Sequence, residues 1–110
     1  MLNIGNHKIG EGQKVFIIAE IGINHNGDIK IAKKLMKSCK EIGCDAVKFQ
    51  KRTLKLVYTE KELEAPRETP FGKTNYDLKK ALEFEKKEFD QIDKYAKKLD
   101  LIWFASCWDL

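Results

Sequence analysis

The sequence has little proline, glycine or cysteine, and it has no long hydrophobic run. Two prolines and seven glycines among 110 residues leave no stretch with the composition of an extended flexible linker. No apolar run approaches the roughly 20 residues of a membrane-spanning helix. The amino-terminal MLNIGNHKIG lacks the basic region and apolar stretch of a secretory leader. Together these absences predict a cytoplasmic protein. Three cysteines are an odd number for a disulfide framework, and none forms a CxxC pair. Cys39, Cys44 and Cys107 are therefore expected as reduced, mostly buried thiols.

Several ligand motifs are also missing. There is no P-loop, and Gly22 and Gly27 do not fit the GxGxxG spacing. His25 has no second histidine at metal-ligand spacing, since His7 is distant, so it reads as a hydrogen-bonding loop residue. The net charge is a modest +4, with the basic residues gathered in the first half. Lys30, Lys33, Lys34, Lys37 and Lys40 are most simply the solvated face of a helix. Aromatic residues are not interleaved with them, which argues against nucleic-acid binding.

What is present alternates strands with helices. Residues 1–14 hold two short extended pieces around Asn6-His7, a hairpin signal. Val15 to Glu20 opens with five apolar residues, which predicts a strand buried on both faces of a parallel sheet. The Gly- and Asn-rich segment from Ile21 to Gly27 is a loop. Asp28 caps a helix whose Ile31, Leu35, Cys39 and Ile42 recur at helical spacing, and Gly43 ends it. Ala46 to Gln50 is a second strand, with Lys48 and Gln50 on one side. Residues 51–76 form a connection far beyond the usual ~6 residues, helical around Thr59 to Ala65, and such connections are often functional. A short helix at 77–83, an amphipathic helix marked by Phe89, Ile92, Ala96 and Leu99, and a strand at Leu101–Ser106 complete the order. This is a parallel α/β pattern, met in doubly wound sheets and in eight-fold barrels. A whole barrel needs about 250 residues, so this chain would supply about three of its strands.

In both architectures ligands gather at the carboxyl ends of the strands. Those ends carry Glu20, Lys48, Gln50 and Ser106. One charged residue at a strand end is ordinarily just solvated, but Glu20, Lys48 and Gln50 on a single rim point to a site. A carboxylate, an ammonium, an amide and a hydroxyl suit a small anionic substrate bearing hydroxyl groups. Lys48 would bind a carboxylate or phosphate, and Glu20 would hydrogen-bond a polyol or move a proton. Trp103 and Trp108 read as core and rim packing.

Four motifs, taken together, carry a family resemblance. IIAEIGINHNGD after the first strand, DAVKFQ on the second, FGKTNY in the long connection and FASCWDL at the end resemble the sialic acid synthases. That family includes N-acetylneuraminate, legionaminate and pseudaminate synthases. The resemblance runs from about Lys14 to Leu110. It implies a transferase that condenses phosphoenolpyruvate with the open-chain aldehyde form of an N-acylated aminosugar. The product is a nine-carbon 2-keto sugar acid, with phosphate released. It also implies a divalent metal, Mn2+ or Mg2+, a (β/α)8 barrel followed by a small antifreeze-like domain, and a domain-swapped homodimer.

By the same resemblance Glu20 is the strand-one glutamate that contacts the sugar and takes part in proton transfer. Lys48 is the lysine that binds phosphoenolpyruvate, and Gln50 the sugar-contacting glutamine. Tyr76 falls on a tyrosine near the sugar, and Ser106 on a hydroxyl residue close to phosphoenolpyruvate. The family's metal-binding histidines come from later strands, so none of the metal's ligands is expected in this chain. Two positions depart from the family pattern: Cys107 stands where proline is usual, and Asp100 where glycine is usual. A left-handed backbone at Asp100 would therefore be strained.

The expectation is thus a short hairpin (1–14) followed by the amino-terminal part of a barrel (15–110), without the later barrel strands or the antifreeze-like domain. Such a piece would hold part of a substrate site and show little activity alone. The alternative is a non-catalytic fragment that binds substrate or complements a separate carboxyl-terminal part.

Overall fold

The computed structural model describes the chain except for residues 53, 55–57, 70, 109 and 110. Pro70 and the end of the FASCWDL motif lie outside the described residues. Strands β1 (Leu2–Ile4) and β2 (His7–Ile9) pair antiparallel as the expected hairpin. The central sheet has three parallel strands, β3 (Ile18–Gly22), β4 (Ala46–Lys51) and β7 (Ile102–Cys107), in the order β3-β4-β7. Helix α1 (Ile29–Glu41) connects the first two. Between β4 and β7 come α2 (Glu60–Glu64), a β5–β6 hairpin (Pro66–Thr69 and Gly72–Thr74), α3 (Asn75–Leu82) and α4 (Lys86–Leu99). The fold class is the expected one: α/β, with a parallel sheet, helices and a short leading hairpin.

Local chemistry sets the helix boundaries. The Asp28 side chain accepts from the Lys30 N–H at 2.8 Å, which satisfies one free donor of α1. Thr59 with Glu62 and Thr74 with Asp77 form reciprocal capping boxes at α2 and α3. Helix α4 ends at Asp100 in the left-handed region, with φ 54°. The strain expected at this aspartate is present. Asp100→Gly is therefore expected to stabilise the chain by about 1 kcal/mol, read as a higher urea midpoint at an unchanged slope.

The core lies on one face of the sheet. Ile21, Val47 and Phe49 point to that face and pack against Ala32 and Met36 of α1 and Ile92 and Ala96 of α4. Phe89 stacks on Trp103 with ring centroids 5.7 Å apart, and the Trp103 indole N–H donates to Asp93 at 3.0 Å. Trp103 is thus core, whereas Trp108 is half exposed on the rim, as its sequence position suggests.

Four expectations change. The first strand begins at Ile18, not Val15, and Val15, Ile17 and Ile18 are exposed. Among the described residues, helices cover only one face, so the apolar run is not buried on both sides. The buried stripe of α1 centres on Ala32 and Met36, with Leu35 and Cys39 beside it, and Ile42 is 80% exposed. Helix α1 is capped at Ile42, so that residue never completes the stripe. The long connection contains the β5–β6 hairpin, which its two prolines concealed. Cys39 and Cys44 are partly buried and Cys107 is exposed, so the thiols are less sheltered than expected.

Candidate functional site

Side chains alternate across a strand, so the sheet has a second face opposite the core. Parallel register places Glu20 beside Lys48, Lys48 beside Phe104, and Gln50 beside Ser106. Glu20, Lys48, Gln50 and Ser106 therefore share the open face at its carboxyl end. The Lys48 ammonium sits 3.1 Å from the Glu20 carboxylate. Both groups are solvent-accessible, which leaves the pair easily exchanged for a ligand. Phe104, 40% exposed, adds an apolar surface beside them.

The amino-terminal hairpin occupies the other end of this face. A Cβ on Gly5 would stand 3.3 Å from the Ile102 side chain, two residues before Phe104. The open face is thus bounded at its base by the hairpin and exposed at the rim that carries the polar groups.

The backbone after Glu20 is tightly specified. A bulge between Glu20 and Gly22 breaks the ladder register, and Gly22 has φ 57°. A Cβ there would lie 3.2 Å from the Glu20 carboxylate. The following loop is pinned by His25, which is 2% exposed. Its Nδ1 accepts from the Gly27 N–H at 2.9 Å, it makes a second bond to the Gly22 backbone, and its ring stacks on Phe84 at 3.8 Å. Burial holds its pKa down to about 4. Gly27, with φ 73°, abuts α3 so closely that a Cβ would overlap the Ala81 carbonyl. His25 is the hydrogen-bonding loop residue expected from the sequence, but its burial and stacking were not legible there, because Phe84 is distant along the chain.

Tyr76 stands apart from the other four. It begins α3 and lines a cavity of about 230 Å³ with Lys51, Arg52, Lys80 and Glu83. No hydrogen bond or ion pair among the described residues joins it to Glu20, Lys48, Gln50 or Ser106. It shares that cavity with Lys51, the residue after Gln50 and the last of β4.

Sequence reasoning passed over Arg52 and Glu83. Their side chains are 4% and 3% exposed and form a buried ion pair. Arg52 Nε donates to Glu83 Oε1, the Arg52 backbone N–H donates to Oε2 at 3.2 Å, and Arg52 Nη1 donates to the Tyr58 hydroxyl at 2.8 Å. The pair ties the exit of β4 to the end of α3. The only sequence signal was an arginine immediately after a strand.

Among the described residues no three His, Cys, Asp or Glu side chains converge as a metal site. Glu20 is paired with a lysine, and His25 is buried with Nδ1 already accepting a hydrogen bond. These residues do not form a cation site on their own.

A parallel strand–helix–strand unit with ionisable and polar groups at one strand-end rim defines the class of α/β proteins, in which ligands gather at the carboxyl edge of the sheet. Comparison with known proteins narrows this class. The chain belongs to the NeuB family, whose model matches residues 35–110. The N-acetylneuraminate-9-phosphate synthase of Mus musculus is 39% identical over 103 residues, covering 92% of this chain and 29% of that protein. The N,N'-diacetyllegionaminic acid synthase of Legionella pneumophila is 37% identical over 103 residues, covering 91% of this chain and 29% of its own length. The crystal structure of an N-acetylneuraminic acid (sialic acid) synthetase from Leptospira borgpetersenii, in complex with citrate, superposes with a TM-score of 0.78 at 30% identity. That match covers 99% of this chain and 34% of the other. The chain thus spans less than a third of the length of the curated relatives named here. No described helix is long and apolar enough to cross a membrane.

Proposed function

We propose that this chain carries part of the substrate site of a sialic acid synthase, a transferase joining phosphoenolpyruvate to an N-acylated aminosugar to give a nine-carbon 2-keto sugar acid. The observation that carries the reading is the Glu20–Lys48 pair on the open face, in register with Gln50 and Ser106. Phosphoenolpyruvate brings a phosphate and a carboxylate, whose charge must be neutralised before its enol carbon can approach an aldehyde. Lys48 supplies a cation at the rim. Glu20 orients that ammonium and stands ready to accept a sugar hydroxyl proton. Gln50 and Tyr76 belong with the sugar, and Ser106 with phosphoenolpyruvate.

Polarising the aldehyde is a separate requirement. The divalent metal implied by the resemblance would need ligands from outside this chain, and no step is assigned to it. The same reading places the hairpin and residues 15–110 at the start of a (β/α)8 barrel, in a cytoplasmic enzyme whose swapped dimer and antifreeze-like domain involve other parts of the protein.

Calorimetric titration with phosphoenolpyruvate tests this assignment. The chain is expected to bind it, and Lys48→Ala is expected to weaken binding about tenfold, the scale of one charge-assisted hydrogen bond. Equal affinity in the two proteins would remove Lys48 from the site.

A second reading rests on the open face itself. Ile18 and Phe104 are exposed on it, and β3 and β7 leave unpaired edges among the described residues. A piece of this kind would bind substrate without turnover, or complement a separate carboxyl-terminal part. Synthase activity appearing only on mixing with that part would select this reading.

A further inference from the structure

The end of α1 holds a cysteine pair that the proposed reaction does not use. The Cys44 N–H donates to the Cys39 carbonyl at 2.9 Å, and the Gly43 N–H donates to the Lys40 carbonyl at 3.2 Å. Gly43 takes φ 97°, in the left-handed region. These two bonds and the glycine define a Schellman motif, with Cys39 in the last helical turn and Cys44 just beyond the glycine. In this motif the side chains at those two positions meet, usually as a hydrophobic contact. Here both are thiols.

The geometry permits a covalent bond. A disulfide needs Cα atoms within about 7 Å. A main-chain hydrogen bond of 2.9 Å between the two residues, with standard bond lengths and the bent angle at the Cys39 carbonyl carbon, holds their Cα atoms to at most about 6.8 Å, inside that limit. Burial, followed by the neighbouring Cys44, pushes the Cys39 thiol up from its ordinary value. Both residues are partly exposed, so a small oxidant reaches them, while Cys107 lies exposed at the far end of β7.

We propose that Cys39 and Cys44 are a redox modification site, forming a reversible disulfide that fastens the end of α1 to the residues leading into β4. The oxidant is a low-molecular-weight disulfide of the glutathione type. A thiolate of the pair attacks one sulfur of the oxidant, forming a mixed disulfide and expelling one small thiolate. The partner thiol then loses its proton and attacks the protein-side sulfur. The Cys39–Cys44 bond forms and a second small thiolate leaves. Two protein thiols are oxidised, and one small disulfide is reduced to two thiols. Either thiol can make the first attack, and the other then resolves the intermediate.

The test equilibrates the full chain in buffers of defined oxidised-to-reduced glutathione ratio, followed by alkylation and mass spectrometry. The expected result is that Cys39 and Cys44 lose alkylation together, with loss of two hydrogens and no retained glutathione. Tryptic cleavage after Lys40 should then release two peptides joined by the Cys39–Cys44 bond. Cys107 should carry glutathione instead. Cys107→Ser should leave the linked product unchanged, while Cys39→Ser should trap glutathione on Cys44. Cys39 and Cys44 remaining fully alkylated where Cys107 is fully glutathionylated would overturn the proposal. So would a linked product that contains Cys107.

Discussion

Glu83→Ala is expected to destabilise the chain by about 3–5 kcal/mol, because it leaves the Arg52 guanidinium buried without its counter-charge. The magnitude follows from the geometry. Both carboxylate oxygens of Glu83 accept from Arg52, one from the guanidinium and one from the backbone N–H. Among the described residues Arg52 Nη2 already has no partner, so the network has no reserve to absorb the loss. Two controls separate charge from packing. Glu83→Gln keeps an acceptor and the side-chain volume and should lose less. Replacing both partners, as Arg52→Met with Glu83→Leu, removes both buried charges and should recover most of the stability. Urea denaturation followed by circular dichroism reads all three. An alanine variant within about 0.5 kcal/mol of the parent would mean that water reaches the pair freely.

Acidification should destabilise the chain through His25. In the unfolded chain this histidine takes a proton near its ordinary pKa of 6.5, whereas burial lowers the folded value to about 4. Between those values the unfolded state binds more protons, so stability falls as the pH falls. The contribution is intact above about pH 6.5, declines through the window and levels off near pH 4. Its full size is about 3–4 kcal/mol, from roughly 1.4 kcal/mol per pKa unit over the drop from 6.5 to about 4. His25→Gln removes the titration and should flatten the stability profile between pH 6.5 and 4, relative to the parent measured in the same buffers. His7 and the carboxylates are common to both proteins, so the difference in slope belongs to His25. Parallel profiles would show that His25 is not held neutral. The same protonation would break the Nδ1 bond to Gly27, and with it the loop that follows Glu20.

Much of the architecture was legible in residue patterns. The hairpin around Asn6-His7, the Asp28 cap, the helix before Gly43 and the second and third parallel strands stand where periodicity and capping chemistry place them, and the first strand is present but starts three residues late. These are local properties, set by hydrogen bonds and side-chain spacing within a few residues. The errors fell where burial depends on what packs opposite. Ile42 fits a helical stripe but projects into solvent, and Val15 and Ile17 fit a buried strand but lie exposed. A short hairpin begun at Pro66 was hidden because its pairing partners, not its composition, make it a strand.

The rim followed the same division. Period-two alternation alone put Lys48 and Gln50 on one side of β4. That Glu20 lies in register with Lys48, and Ser106 with Gln50, is decided by strand pairing across sequence separations of 28 and 56 residues. Parallel neighbours are joined only through helices, so their register emerges from packing and not from a turn. The family, the order of the three parallel strands with their connecting helices, and the chemical types at the strand ends were determined by the sequence itself. Tertiary structure alone decided that Glu20 and Lys48 meet as an ion pair, that Tyr76 faces a separate cavity, and that His25 and Arg52 are buried. Each depends on contacts between residues far apart in the chain, which local propensity does not encode.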